Sequence, residues 1–223
     1  MAKKKVEMVK DLAAANRAQA RMVRTRLAKS GILAVNLIGS PGCGKTTLLE
    51  ATLPRLEGLR ASVIEGDIAT SRDADRIRAL GVASVQINTG GTCHLLATQV
   101  AGALERLDLA GTDLLFIENV GNLVCPSTTD LGEDFKVAVM SVPEGDDKAA
   151  KYPRLFREAA CVVLNKTDLL GVVKFSVAQV RQDLERIKAD LPFMALSAAT
   201  GEGMETWLEW LRARQKEKRA CGG

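Results

Sequence analysis

A glycine-rich segment early in the chain carries the residue types that bind phosphate. It reads GSPGCGKTT and matches the pattern G-x-x-x-x-G-K-[ST]. Its glycines allow backbone N–H groups to turn toward phosphate oxygens, the lysine supplies a point charge, and the next hydroxyl can bind Mg²⁺. We interpret its cysteine as a small loop residue and not as a nucleophile. The residues assigned to this phosphate site are Gly39, Gly42, Cys43, Gly44, Lys45, Thr46 and Thr47.

A second motif, far along the chain, indicates which base is bound. Asn165, Lys166 and Asp168 form the pattern N-K-x-D after the apolar run CVVL. The Asp168 carboxylate can accept hydrogen bonds from N1–H and the exocyclic amine of guanine, whereas adenine would leave it unpaired. Lys166 can lie along the base, and the loop at Ser197 and Ala198 resembles one that closes over guanine O6. The pattern is typical of GTP-binding proteins, so we predict GTP and GDP as ligands.

Two acidic segments between these motifs are candidates for Mg²⁺ binding and hydrolysis. Asp67 ends the segment EGD, and Glu118 begins ENVG, which places Gly121 three positions later. Such an acid can hold Mg²⁺ through water, and such a glycine can offer its N–H to a γ-phosphate. The alternative for Asp67 is a charge near the start of a helix. We predict Lys45, Asp67 and Glu118 as catalytic residues, and Thr46, Asp67 and Glu118 as the Mg²⁺ site.

Three further residues could bind a softer metal. Cys93 and His94 are adjacent, and we expect them to begin a helix after the turn Gly90–Thr92. Cys125 lies close downstream of Glu118. If both loops lie above the carboxyl ends of adjacent strands, the three residues can converge. Two thiolates and one imidazole suit Zn²⁺ or Ni²⁺. The spacing alone is weak evidence, because adjacent Cys-His pairs are common by chance and most buried cysteines are inert.

Alternating short apolar runs and longer amphipathic segments must position these residues. The pattern predicts a mostly parallel sheet with helices on both faces, the α/β fold of P-loop NTPases. The predicted strands cover 32–38, 61–65, 83–87, 113–118, 136–142, 161–165 and 193–196. The predicted helices cover 4–29, the stretch from the phosphate loop to 56, 72–80, 93–107, 151–159, 176–190 and 203–218.

Composition excludes several classes of protein. The 223 residues are 47% hydrophobic and 26% charged, which is ordinary for a globular domain, and no apolar run reaches the length of a membrane span. We therefore expect a cytoplasmic protein without a membrane partner. The net charge of +4 and an aromatic content of 4% also argue against nucleic-acid binding. We expect an N-terminal helical arm over 1–31 and one P-loop GTPase domain over 32–220.

Six segments together resemble the hydrogenase-maturation nickel GTPases, the HypB family. They are GSPGCGKTTLLE, EGDIATSRDADRI, QINTGGTCHL, DLLFIENVGNLVCP, SVPEGDDKAAKYP and NKTDLL, within a match from about Val35 to Gly203. The resemblance implies slow GTP hydrolysis linked to nickel insertion into [NiFe] hydrogenase, with a HypA-type nickel chaperone and the hydrogenase large-subunit precursor as partners. It also assigns the metal role to Cys93, His94 and Cys125.

The Glu-x-x-Gly segment resembles the branch of GTPases that dimerise across their nucleotides. We therefore expect a homodimer that depends on GTP and metal, in which Lys148 is a candidate to reach the partner's nucleotide. The chain departs from fuller family members, because it has no Cys-x-x-Cys-Gly-Cys segment and no histidine-rich stretch before Cys43. A second tight metal site and nickel storage are not supported.

Other functions stay open at this stage. A urease-type nickel GTPase would carry Cys-Pro-His, but here Cys125-Pro126 is followed by Ser127. A GTPase chaperone of a cobalamin enzyme would need no metal cluster. A P-loop kinase of small molecules would usually take ATP, which the N-K-x-D pattern disfavours. A regulatory module would hold GTP without turning it over.

Overall fold

The structure, a computed structural model, describes residues 2–67 and 72–222, with side chains over 11–66 and 75–220. Within those ranges seven apolar runs form strands that all pair in parallel, in the order β3-β2-β4-β1-β5-β6-β7. The strands are β1 (Leu33–Ile38), β2 (Ala61–Asp67), β3 (Ala83–Asn88), β4 (Leu114–Glu118), β5 (Phe135–Ser141), β6 (Cys161–Asn165) and β7 (Phe193–Ala195). Every residue of β1, β4 and β6 is buried, as expected for parallel strands covered on both faces.

Helices cover both faces of this sheet. The α-helices are α1 (Ala2–Lys29), α2 (Lys45–Thr52), α3 (Arg72–Arg78), α4 (Ala97–Arg106), α5 (Cys125–Thr128), α6 (Lys148–Lys151), α7 (Pro153–Glu158), α8 (Val177–Ile187) and α9 (Met204–Gly222). Val35 and Leu37 of β1 pack in one apolar cluster with side chains of α2, α3 and α9. Ala34 and Ile38 face the other side, where side chains of α1, α4, α7 and α8 pack. The alternation follows from the two-residue period of a strand.

The predicted fold class and strands are confirmed, but one helix start is wrong. The helix predicted over 93–107 begins only at Ala97, so Cys93 and His94 lie in the turn before it. Leu96 has extended dihedral angles, φ −114° and ψ 154°, and its N–H donates to Oε1 of Gln99 at 2.8 Å. Leu96 is therefore the N-cap of α4, and the residues before it do not belong to the helix.

The helix predicted over 151–159 corresponds to α7, and its first residue, Lys151, instead ends α6, which was not predicted. Tyr152 separates them with dihedral angles of −126° and 52°, because the residue before Pro153 is pushed out of the helical region. The short helix α5 was not predicted, since four residues leave no periodicity to detect. In the part of the chain that the structure describes, no helix is long and apolar enough to cross a membrane.

The parallel arrangement places all the candidate motifs at one edge of the sheet. The chain leaves β1 into the phosphate loop, β2 at Asp67, β4 at Glu118 and β6 at Asn165. In open parallel sheets this carboxyl edge is where ligands bind. The topology therefore brings together segments that are more than a hundred residues apart in sequence.

Candidate nucleotide and metal sites

The phosphate loop is a tight turn between β1 and α2. Gly44 has φ 91° and stands at the N-cap of α2, a conformation that favours glycine. A Cβ atom on Gly39 would lie 2.3 Å from the carbonyl oxygen of Val139, so no side chain fits there. The ammonium of Lys45 curls back over the loop and donates to the carbonyl oxygens of Gly39 and Ser40, each at 3.3 Å.

Cys43 lies beneath this loop and is fully buried. Burial raises the pKa of its thiol to about 11, so the group stays protonated at neutral pH. A protonated, inaccessible thiol is a poor nucleophile. This geometry supports the interpretation of Cys43 as a small residue that fills the space under the loop.

The turn after β4 packs directly on the phosphate loop. The Thr46 hydroxyl donates to Oε1 of Glu118 at 2.8 Å, and the Glu118 side chain is only 7% exposed. A Cβ atom on Gly121 would lie 2.7 Å from Cγ of Pro41, so the turn and the loop touch. The predicted acid and the predicted metal-binding hydroxyl are therefore in contact, 72 residues apart in sequence.

An open cleft of about 390 Å³ lies between these segments. It is lined by Pro41, Gly42, Gly44, Lys45, Thr46, Thr47, Glu65, Gly66, Arg76, Glu118, Asn119, Val120, Gly121 and Lys166. The predicted residue Asp67 ends the backbone of β2 beside this cleft, opposite Asn88 of β3. Its side chain lies outside the described residues, so its catalytic and metal roles stay predictions.

Two charged side chains of the cleft were missed by the sequence analysis. Glu65 is buried on β2 and stands opposite Glu118 in the strand register. Arg76 of α3 donates to Oγ1 of Thr47 at 3.4 Å and forms an ion pair with Glu50. Strand alternation places Glu65 and Asp67 on the same face of β2, so it does not distinguish the two acids. Arg76 is one of several arginines in α3 and gives no signal of its own.

Asn165 joins the base motif to the phosphate loop. Its Nδ2 donates to the carbonyl oxygens of Cys43 and Gly44, at 3.2 and 3.3 Å. Its Oδ1 accepts from the backbone N–H of Lys166 at 2.8 Å and of Ala198 at 3.0 Å. One buried amide thus holds the loops after β1, β6 and β7 in one arrangement.

The remaining residues of the base motif lie around this amide. Lys166 has φ 60°, and its ammonium donates to the carbonyl oxygen of Gly42 at 2.6 Å. Asp168 is exposed, and its Oδ1 accepts a hydrogen bond from the Ser197 hydroxyl at 2.5 Å. The Ser197 hydroxyl thus orients one oxygen of this exposed carboxylate.

The structure brings the three predicted metal ligands together. Their ligating atoms, in Cys93, His94 and Cys125, all lie within 4.8 Å of one another. The hydrogen bond between the two thiols raises the pKa of Cys93 above its usual value. Burial lowers the pKa of His94, which favours the neutral imidazole that can bind a metal. The two thiols and the imidazole fit one soft divalent ion.

The position after Cys125-Pro126 does not contribute to this cluster. Ser127 is buried, and its hydroxyl donates to the carbonyl oxygen of Val124 at 2.7 Å. A urease-type Cys-Pro-His arrangement is therefore not favoured by this part of the chain.

The family model CobW/HypB/UreG, nucleotide-binding domain, matches residues 33–195. The hydrogenase maturation factor HypB of Escherichia coli K12 is 49% identical over 193 residues, which are 86% of this chain and 67% of that protein. The hydrogenase/urease maturation factor HypB of Helicobacter pylori 26695 is 40% identical over 97% of this chain and 91% of its own length. The family match spans the phosphate loop, Asp67 and the segment from Glu118 to Gly121.

Two solved structures are similar over nearly their whole length. HypB from Helicobacter pylori in complex with nickel has a TM-score of 0.87 and 39% identity, and covers 92% of this chain and 97% of its own. The hydrogenase maturation factor HypB from Archaeoglobus fulgidus has a TM-score of 0.85 and 37% identity, with coverages of 91% and 99%. Sequence and structure agree, and the chain belongs to the HypB hydrogenase maturation factors of the CobW/HypB/UreG nucleotide-binding family.

Proposed function

We propose that this chain binds and hydrolyses GTP and assists the insertion of nickel into [NiFe] hydrogenase during its maturation. The observation that carries the proposal is the hydrogen-bonded unit in which Asn165 links the phosphate loop to the guanine motif. The names of the relatives from Escherichia coli and Helicobacter pylori support the maturation role.

The triphosphate lies along the phosphate loop in this proposal. The Lys45 ammonium, which donates to two loop carbonyl oxygens in the structure, instead contacts the β- and γ-phosphates of the bound nucleotide. There its positive charge stabilises the negative charge that develops during hydrolysis. Gly121 offers its N–H to the γ-phosphate. Asp67 or Glu118 orients the attacking water, and Arg76 is a second cation beside the loop.

Thr46 and Glu118 fit a Mg²⁺ site. Their oxygens, a hydroxyl and a carboxylate 2.8 Å apart at the cleft, are the hard donors that this ion prefers. When bound there, Mg²⁺ would neutralise part of the charge of the phosphates. The chain's own contribution is to hold these two oxygens side by side through the contact between α2 and the end of β4.

Guanine is selected at the rim of the cleft. The Asp168 carboxylate accepts from N1–H and the exocyclic amine, and Ser197 keeps it oriented through the 2.5 Å hydrogen bond. The Lys166 stem lies over the loop, where it can cover one face of the base. ATP would desolvate the Asp168 carboxylate without giving it a donor, so we expect ATP to bind far more weakly.

Nickel is the cargo, and Cys93, His94 and Cys125 are its ligands. The nickel complex of the Helicobacter pylori protein supports nickel as the physiological ion. Zn²⁺ suits the same thiolates and competes for them. The three residues leave one position of a tetrahedron open, for water or for a donor from another chain.

The assembly we propose is a homodimer that forms with GTP and metal, and that receives nickel from a HypA-type chaperone for the hydrogenase large-subunit precursor. Lys148 is the candidate to reach the partner's nucleotide. Its ammonium now lies 4.0 Å from Oε1 of Glu144 and 5.6 Å from the centre of the Tyr152 ring, both weak contacts that it can exchange.

The test is steady-state phosphate release from GTP and from ATP. We expect GTP to be hydrolysed slowly and ATP barely, and Lys45→Ala to lose most of the turnover. Asp168→Asn should shift preference toward xanthosine triphosphate, because the amide can donate where the carboxylate could only accept. Equal affinity for GTP and ATP in the parent protein, or hydrolysis unchanged in Lys45→Ala, would refute the proposal.

A further inference from the structure

Two asparagines connect the turn after β4 to the segments that carry the metal ligands. The first, Asn119, follows Glu118 directly and is only 1% exposed. Its Oδ1 accepts from the backbone N–H of Leu95 at 3.3 Å, and Leu95 is the residue after His94. The turn that touches the nucleotide cleft therefore holds the end of the metal-binding loop.

The second asparagine, Asn122, spans the metal site itself. Its Nδ2 donates to the carbonyl oxygen of Cys93 at 3.2 Å. Its Oδ1 accepts from the backbone N–H of Val124 at 2.8 Å, and Val124 directly precedes Cys125. A single amide thus sets the distance between the two segments that supply the thiols. Only a side chain that donates and accepts at once can make both bonds.

The same turn is fixed to the phosphate loop at its other end. Gly121, the neighbour of Asn122, touches Pro41 so closely that a Cβ atom would lie 2.7 Å from the proline ring. Three positions earlier, Glu118 is bonded to Thr46. A γ-phosphate that binds between Gly121 and the loop must change this contact, and Asn122 moves with the turn.

We propose that Asn122 is a positioning residue that makes the nickel affinity depend on the nucleotide. It transmits a change in the contact between the turn over 118–122 and the phosphate loop to the spacing between Cys93 and Cys125. The inference rests on the proposed function and names the regulation of that same site. A merely structural role for Asn122 would change nickel affinity equally in every nucleotide state.

The experiment compares Ni²⁺ affinity with GDP and with a non-hydrolysable GTP analogue, read from thiolate-to-nickel absorbance. The variants are Asn122→Ala, which removes both bonds, and Asn122→Asp, which keeps the acceptor for Val124 and loses the donor to Cys93. The matched control is Asn88→Asp, which adds the same charge before the same loop. The Asn88 side chain accepts from the N–H of Gly90 within its own turn.

In the parent protein we expect the two Ni²⁺ affinities to differ by at least about fivefold, and both Asn122 variants to reduce that ratio to within about twofold of one. Asn88→Asp should keep the parent's ratio. By reciprocity, Ni²⁺ should change the affinity for the GTP analogue by the same factor in the parent, and by less in the Asn122 variants.

Two results would overturn the inference. One is an Asn122 variant whose Ni²⁺ affinity falls by the same factor in both nucleotide states. The other is a parent ratio of one in a protein that still releases phosphate from GTP, which leaves the proposed function standing. A parent that neither hydrolyses GTP nor binds stoichiometric Ni²⁺ would instead refute the proposed function itself.

Discussion

Single side chains in this protein connect loops that the sequence keeps far apart. Asn165 bonds the backbone at Cys43 and Gly44, so the residue that marks guanine specificity also stabilises the phosphate loop. A Cβ atom on Gly44 would lie 2.5 Å from Nδ2 of Asn165, which shows how closely the two meet. Substitution of Asn165 should therefore weaken binding of the whole nucleotide, and not of the base alone.

The metal site gives a second prediction for single residues. Cys93→Ala and Cys125→Ala should each abolish stoichiometric Ni²⁺ or Zn²⁺ binding, because two of three ligands are thiols. Binding in the parent should weaken below about pH 6, because protons compete for the thiolates and the imidazole. Metal analysis after gel filtration measures both effects.

The control for this prediction is Cys161→Ala. This thiol is fully buried in β6, away from the cluster, and burial raises its pKa far above the usual value. Its removal should leave the metal content unchanged. If the Cys93 and Cys125 variants keep the parent's stoichiometry, another set of ligands holds the metal.

Among the elements, α9 is joined to α2 by one buried hydrogen bond. The indole N–H of Trp207 donates to Oγ1 of Thr52 at 2.9 Å, and the Trp207 side chain is fully buried. We expect Trp207→Phe to lower the free energy of unfolding by about 2 kcal/mol, because the hydroxyl of Thr52 loses its buried donor. Urea unfolding measures the difference.

Trp210 supplies the comparison. It stacks on Trp207 with ring centres 5.7 Å apart, but it is only partly buried. Trp210→Phe should cost about 1 kcal/mol or less. Equal losses in the two variants would show that ring packing, and not the bond to Thr52, joins α9 to α2.

The helix α1 is attached to the domain partly through a charged pair. Arg24 donates to Oδ1 of Asp130 at 2.6 Å. Partial burial works to raise the pKa of Asp130, but hydrogen bonds from Gly132 and Arg24, with the nearby charges of Arg24 and Lys136, hold it below its ordinary value of 3.8. A carboxyl with a lowered pKa stabilises the folded state above the ordinary value, and this contribution is lost as pH falls through the folded pKa.

The prediction is a pH-dependent difference between the parent and Asp130→Asn. The variant should be less stable at pH 6, and the difference should shrink as the pH falls below 3.8 and vanish below the lowered pKa of folded Asp130, where the parent has also lost the charge. The effect should be small, because the side chains of Arg24 and Asp130 are 41% and 35% exposed and solvent screens the pair. A difference that does not change with pH would mean that the charge of Asp130 has no part in it.

For the whole molecule, a metal site with only three candidate ligands among the described residues predicts association of two chains, because a second chain can supply a fourth donor. We expect a monomer with GDP and a dimer with a non-hydrolysable GTP analogue and Ni²⁺, measured as mass by light scattering. Lys148→Ala should weaken the dimer, whereas Lys151→Ala should not, because the Lys151 ammonium is exposed and paired with Asp147, the N-cap residue of the same helix. A chain that stays monomeric in every combination would refute the dimer.

Much of the nucleotide site could be predicted from the sequence because its residues lie in short contiguous motifs. The phosphate loop needs glycines, a lysine and a hydroxyl within eight consecutive positions, and the strands that flank it are continuous apolar runs. The parallel sheet then follows from the alternation of strand and helix. These features determined the fold class, the nucleotide motifs and the family from the sequence alone.

The tertiary structure decided what depends on distances between loops. It placed Cys93 and Cys125 within reach of one ion and started α4 at Ala97 instead of at the first ligand. It also brought Asn122 between the two ligand segments. Side-chain hydrogen bonds between segments leave no periodic trace in a sequence, because each partner is an ordinary polar residue of an ordinary turn. These polar residues form one metal site only because the parallel strands end at the same edge of the sheet.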